Sequence, residues 1–182
     1  MPPSDGRSAL SFDVSPAAAV FYPLLYFFDD GGWFAAVLPA VLFHELGHYA
    51  AVRLCGERVY ALTVSVTGLV MDVSPLSDTK AEIFCAAAGP CLGLCWWFLA
   101  QWIGGAWGEK SAAAALLINV FNLLPAMPLD GGRILYALSD SRRLTACVSA
   151  LTAAALFFIA VIGRSWLMLL PTALIAADLF RA

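Results

Sequence analysis

The chain has 182 residues, 62% of them hydrophobic and 13% charged, with a formal net charge of −3. A mean hydropathy of +0.83 excludes an ordinary soluble domain and points to an integral membrane protein built as one domain. The basic residues are scattered along the chain rather than gathered on one face, so they give no pointer to nucleic acid, which is not expected as a partner; the lipid bilayer is.

Residues 1–15 are polar and show no small-residue cleavage site behind a charged start, so no secretory signal is expected and the first apolar segment stays in place. Leu10, Phe12 and Val14 alternate with Ser11, Asp13 and Ser15, which predicts a short strand. Ser15-Pro16 reads as an N-cap followed by proline at the first helical position. Residues 17–28 are apolar but short for a full span and contain Pro23, so this segment is expected to be tilted, kinked or only partly inserted. After a turn at Asp29-Asp30-Gly31-Gly32, the second helix is expected over Trp33–Leu54. Residues 58–73, β-branched with Thr67-Gly68 in the middle, predict a β-hairpin. Its edge either takes up an extended peptide by strand addition or belongs to a connector at the membrane surface.

The third helix is expected over residues 80–103, where Ala86-Ala87-Ala88-Gly89-Pro90 lets a neighbouring helix approach closely and Pro90 predicts a kink. Residues 104–110 read as a short loop, and the fourth apolar stretch, 111–124, stops at Pro125-Ala126-Met127-Pro128. Leu129-Asp130-Gly131-Gly132-Arg133 follows, with a helical pattern again over 134–138. Prolines three apart break the backbone ladder, and within a membrane that is tolerated only where the chain is buried in protein or faces a wet cavity. The break therefore marks a working site. Residues 144–162 and 165–180 read as two scaffold helices.

The expected fold is an all-α polytopic membrane protein of about six transmembrane helices with a small membrane-associated β-hairpin or sheet. One domain covers residues 1–182, with a catalytic core over about 14–139 and additional helices over 144–180. The five cysteines form no CxxC pair; Cys91 and Cys95 share a helix face, and all read as apolar filler rather than a disulfide framework or metal site. Arg7, Arg53, Arg58, Lys80, Arg142, Arg143 and Arg181 fall on one side of the membrane, with Arg133 just inside it, and Lys110 and Arg164 on the other. By the positive-inside rule the first side, with both termini, is cytoplasmic.

His44, Glu45 and His48 lie late in the second helix and are the chemical centre of the sequence. A separation of four residues stacks two imidazoles on one helix face, the spacing that holds zinc with a neighbouring carboxylate as general base. A charged group at the centre of a membrane helix costs roughly 2.5–3.5 kcal/mol on insertion scales, so three ionisable groups within two turns need compensation. Structural zinc binding, at roughly 10–16 kcal/mol, supplies it. The competing reading is that these groups reach toward the headgroups. The chain has only two histidines, so nothing else competes as an imidazole ligand. Asp130, acidic and at the break, is the candidate third ligand; the alternative is that it caps the short helix after it. Asn122 either bonds backbone carbonyls within the bundle or holds a substrate strand, and Pro128 shapes the loop that presents Asp130. Glu45 would then take a proton from water attacking a peptide carbonyl and return it to the leaving amine. A transmembrane substrate would have to unwind first, and the hairpin edge would hold it.

In this order and spacing, HELGH at 44–48, AAAGP at 86–90 and NLLPAMPLDGGR at 122–133 resemble the site-two protease family of intramembrane zinc metalloproteases. The chain is most similar to the stage IV sporulation protease branch, which shares the NLLPxxPLDGG form and the hairpin between the second and third helices. The resemblance implies a zinc metalloendopeptidase with one Zn2+ on His44, His48 and Asp130, Glu45 as the catalytic carboxylate, and Asn122 and Pro128 near the substrate. It also implies a membrane-tethered regulatory protein as substrate, in that branch the pro-form of a sporulation sigma factor, and a membrane regulator or inhibitor as a further partner. The sequence stops at Ala182, just after the last apolar segment, so the C-terminal cytosolic nucleotide-sensing domain of many relatives is not expected, nor is a PDZ-like insert. Two other readings are a membrane metal transporter, which would show internal repeats, and a catalytically silent membrane binding protein of the same fold, against which Glu45 argues.

Overall fold

The computed structural model describes residues 10–66, 68–165 and 168–180. A short strand, β1 (Ser11–Val14), leads into α1 (Pro16–Phe27). The Ser15 hydroxyl caps α1 by accepting from the Ala18 amide at 3.2 Å, and Pro16 takes the first helical position. α1 continues through Pro23 as one helix. Beyond it the Asp29 carboxylate accepts from the amides of Trp33 at 3.0 Å and Phe34 at 2.7 Å, which fixes the start of α2 (Trp33–Leu54). The hydrogen bond from Phe34 in particular holds the Asp29 carboxyl below its ordinary value of 3.8.

The predicted hairpin is present as β2 (Val59–Ser65) and β3 (Gly68–Val73), antiparallel with Val64 opposite Leu69. Residue 67, half of the predicted turn, lies outside the described residues. The N-terminal strand joins the hairpin in parallel, Phe12 beside Leu62, so the sheet has the order β1-β2-β3. Both edges of β2 are thereby paired. The Tyr22 hydroxyl donates to the Ser65 carbonyl at 2.9 Å and the Ser15 amide to Val64 at the same distance, tying α1 to the sheet.

α3 (Thr79–Ile103) is capped by the Asp78 carboxylate and remains a single helix across Pro90. The loop expected over 104–110 is absent: α4 (Gly105–Asn122) begins directly after Gly104. Gly104 and Gly105, both at φ +67°, reverse the chain by themselves, which leaves Ala106 to Lys110 free to enter the helix. Then follow α5 (Asp130–Ser139), α6 (Arg142–Ile162) and α7 (Leu169–Leu179). Arg7 and Arg181 of the orientation argument, and residues 166–167 of the last expected helix, lie outside the described residues.

The protein is mostly helical. Among the described residues three helices, α2, α3 and α6, are long and apolar enough to cross a membrane; α1 and α7 are apolar but shorter. Large side chains such as Trp102, Phe27 and Leu151 point outward, at 84%, 78% and 71% exposure, while the interior holds Ala36, Ala40, Ala86, Ala100 and Ala115. Lipid offers little apolar driving force between helices, so the bundle relies on small residues that bring backbones together. At Gly47 a Cβ would collide with the Ala88 carbonyl, so α2 and α3 meet backbone to backbone.

Between α4 and α5 the chain is irregular, and its amides find partners as the membrane setting requires. Ala126 donates to Leu124 at 2.8 Å, Leu129 to Ala126 at 2.9 Å, and Met127 to the Ser149 hydroxyl of α6 at 3.0 Å. The Met127-Pro128 peptide is cis. Ala126 and Leu129 pack against Ala153, Leu156 and Ile175, so α6 and α7 buttress the break from behind.

Candidate metal centre

His44 and His48 sit one turn apart on the buried face of α2, where α3 and α4 close over them. Gly89 of α3 makes room: a Cβ there would overlap the His48 ring. Gly93, one turn on, leaves the same clearance for the amide of Asn119 on α4. The AAAGP run thus supplies a slot for an imidazole as well as a helix contact.

Each ring is oriented through its Nδ1. That of His48 lies 2.8 Å from the Cys85 carbonyl, which can only accept, so this nitrogen carries the proton. That of His44 lies 2.8 Å from Asn119 Oδ1. The Asn119 amide is itself fixed, its Nδ2 donating to the Ala115 carbonyl at 2.6 Å, so His44 also donates from Nδ1. In the neutral rings both Nε2 atoms are then bare lone pairs. They face each other across 3.1 Å.

Asp130 completes the group from the first residue of α5. Its Oδ2 stands 3.4 Å from His44 Nε2 and 3.2 Å from His48 Nε2, is buried, and has no hydrogen-bond partner among the described residues. The capping alternative fails, because α5 is preceded by Leu129 and has no side-chain cap. Three acceptors converging without a donor repel one another unless a cation joins them. Ligands at about 2.0–2.1 Å around a tetrahedral ion stand about 3.3–3.4 Å apart, close to the observed edges of 3.1, 3.2 and 3.4 Å. The donor set of two imidazoles and a carboxylate suits zinc, and His44, His48 and Asp130 are the metal-capable cluster among the described residues.

Glu45 is half-buried beside His44 and forms no salt bridge or hydrogen bond among the described residues. Asn122 does not join the cluster; its Nδ2 donates to the Ile118 carbonyl of its own helix at 2.9 Å. Pro128 is exposed on the turn two residues before Asp130. The asparagine that touches the centre is Asn119, fully buried, which the sequence reading passed over. The signal that could have found it is a polar residue inside an apolar stretch. Cys55 and Cys85 are close, 3.9 Å between sulfurs, and all five cysteines are free, with Cys91, Cys95 and Cys147 exposed.

Fold and site together define a helical membrane protein with a buried His-His-Asp cluster that could hold a metal ion at a broken helix. The fold is that of a site-2 protease from Methanocaldococcus jannaschii, with a TM-score of 0.65 over 90% of this chain and 84% of that one at 21% identity. In sequence the chain is 33% identical over 138 residues to "Putative zinc metalloprotease Rip3" from Mycobacterium tuberculosis, covering 67% of this chain and 35% of the relative. It is also 33% identical over 107 residues to "Putative zinc metalloprotease sll0528" from Synechocystis sp., covering 53% and 28%. The chain therefore spans about a third of the length of these curated relatives. No protein-family model matches it. The chain thus shares its fold with that site-2 protease and part of its sequence with two relatives named as putative zinc metalloproteases.

Proposed function

We propose that the chain is an intramembrane zinc metalloendopeptidase that cleaves a membrane-tethered regulatory protein. The observation that carries this reading is the convergence of His44 Nε2, His48 Nε2 and Asp130 Oδ2 within 3.4 Å of one another, inside a bundle of apolar helices. Zinc, when bound, supplies a Lewis acid that polarises a peptide carbonyl and acidifies water. The Cys85 carbonyl and Asn119 hold the two rings so that their Nε2 lone pairs stay directed inward. Glu45, adjacent to His44 and unpaired, accepts the proton of the attacking water and delivers it to the leaving amine. That role favours an enzyme over a silent binding protein or a metal transporter, neither of which needs a free carboxylate beside the ligands.

A helical substrate conceals its carbonyls in hydrogen bonds and must unwind before attack. The unwound strand has the outer edges of β1 and β3 available for pairing, since β2 is paired on both sides. Asn122 and Pro128, flanking the break, are the proposed substrate contacts. Arg53, Arg58, Lys80, Arg142 and Arg143 support a cytoplasmic placement of both termini in a multi-pass protein. Within this reading the NLLPAMPLDGGR wording favours a substrate of the pro-sigma-factor kind cut by the stage IV sporulation branch, under control of a membrane regulator or inhibitor.

The test is co-expression of the full chain with a single-span tethered substrate. The Glu45→Gln variant should keep bound zinc and lose cleavage; equal cleavage by wild type and variant would refute the proposed chemistry.

A further inference from the structure

Arg133 lies one helical turn after Asp130 on α5. Its Nε and Nη2 both donate to Glu82 Oε1, at 3.0 and 2.8 Å, while its Nη1 stands 3.5 Å from Asp130 Oδ1. Glu82 belongs to the first turn of α3, so the pair clips the starts of two helices together. A planar guanidinium held at two nitrogens cannot swing freely. Its charge therefore stays beside Oδ1, and Oδ2 is left for the imidazoles.

We propose that Arg133, locked by Glu82, is a positioning residue that makes Asp130 offer one oxygen rather than two to the cation. The inference rests on reading the cluster as a zinc centre. A carboxylate released from Arg133 could turn both oxygens inward and add a fifth ligand atom to the three protein ligands and one water of a catalytic centre. A merely structural link is the competing account, but a pair whose side chains are each 32% exposed contributes little stability by itself. Both residues line a cavity of about 600 Å³ together with Leu76, Asp78, Met127 and Tyr136, so the clamp stands at an opening beside the centre rather than sealed in the core.

The test loads the purified full chain with cobalt(II) in place of zinc, follows its visible absorption, and measures the thermal midpoint of the metal-free protein. Wild type should show the intense band of a four-coordinate ion. Arg133→Gln should keep one equivalent of metal but lose that intensity, as a fifth ligand atom enters, and Glu82→Gln should lose part of it. The reversed pair, Glu82→Arg with Arg133→Glu, should, like the single variants, leave the thermal midpoint of the metal-free protein close to that of the wild type but should not regain the band, because no cation then stands beside Asp130. An undiminished band in both single variants, or its recovery in the reversed pair, would overturn the positioning role and leave the zinc centre standing. Failure of the wild type to bind either metal would remove the centre and the clamp together.

Discussion

Replacing Asn119 with leucine isolates the support behind one ligand. The side chains are of similar size, and Gly93 leaves space against this position, so the main loss is the acceptor for His44 Nδ1. A buried N–H without a partner costs about 1–3 kcal/mol. Independently, losing an outer partner of a metal-binding histidine weakens metal affinity by about 10–100-fold. That range corresponds to about 1.4–2.7 kcal/mol, so two separate routes give the same size of effect. Asn119→Leu should therefore weaken zinc binding by about one to two orders of magnitude. The assay is competition between the full chain in detergent and a zinc chelator at fixed pH, with Asn122→Leu alongside. Among the described residues the Asn122 side chain bonds only within its own helix, so its variant should bind zinc as the wild type does. If Asn119→Leu binds zinc as tightly as wild type, or the two variants weaken it equally, the assignment of Asn119 as the orienting group is wrong.

Gly89→Ala should be more damaging to metal binding than Asn119→Leu, because the new Cβ would overlap Nε2, Cε1 and Cδ2 of His48 and drive the ring out of line; chelator competition reads this directly. Ser149→Ala should leave zinc stoichiometry intact and lower stability by about 1–3 kcal/mol through the orphaned Met127 amide, seen as a fall in thermal midpoint. At Asp29 the folded value lies below the ordinary 3.8, so the stabilisation is present above the unfolded value and is lost as pH falls through the lowered one. Thermal unfolding of wild type and Asp29→Asn on either side of pH 3.8 should show the wild type losing its advantage on the acid side.

What could be read from the chain alone was local or chemical. Four residues separate His44 from His48, and that spacing fixes their shared face on any helix. Asp130 stood out because an acid at a proline-broken apolar segment has few reasons to be there. Asn119 and Asn122 were equally visible as polar residues in one apolar stretch, three apart and so close in angle around the helix. Which of them turns inward depends on the rotation of α4 against α3, and that is set by the clearance at Gly93, a contact between distant residues. The Cys85 carbonyl was invisible for a different reason: a backbone acceptor has no residue type of its own, and AAAGP announces close packing without naming the ring that fills the gap. The parallel pairing of β1 with β2 joins residues about fifty positions apart and carries no turn signal.

These gaps share one cause. An ionisable group in an apolar run is conspicuous because the membrane makes it costly, whereas the groups that make it tolerable are spread over other helices and look ordinary in sequence. His44 and His48 each rely on a different neighbour, Asn119 from α4 and the Cys85 carbonyl from α3, while Asp130 arrives from α5. The centre is thus assembled only when four helices reach their native spacing. Metal binding and correct docking of α2, α3, α4 and α5 should accordingly depend on each other, since a cation held at Oδ2 and both Nε2 atoms joins α5 to α2, and the two Nδ1 partners join α2 to the rest. Small residues at the helix contacts let that assembly close without a large apolar driving force, and a bound cation would remove the repulsion that closure otherwise creates.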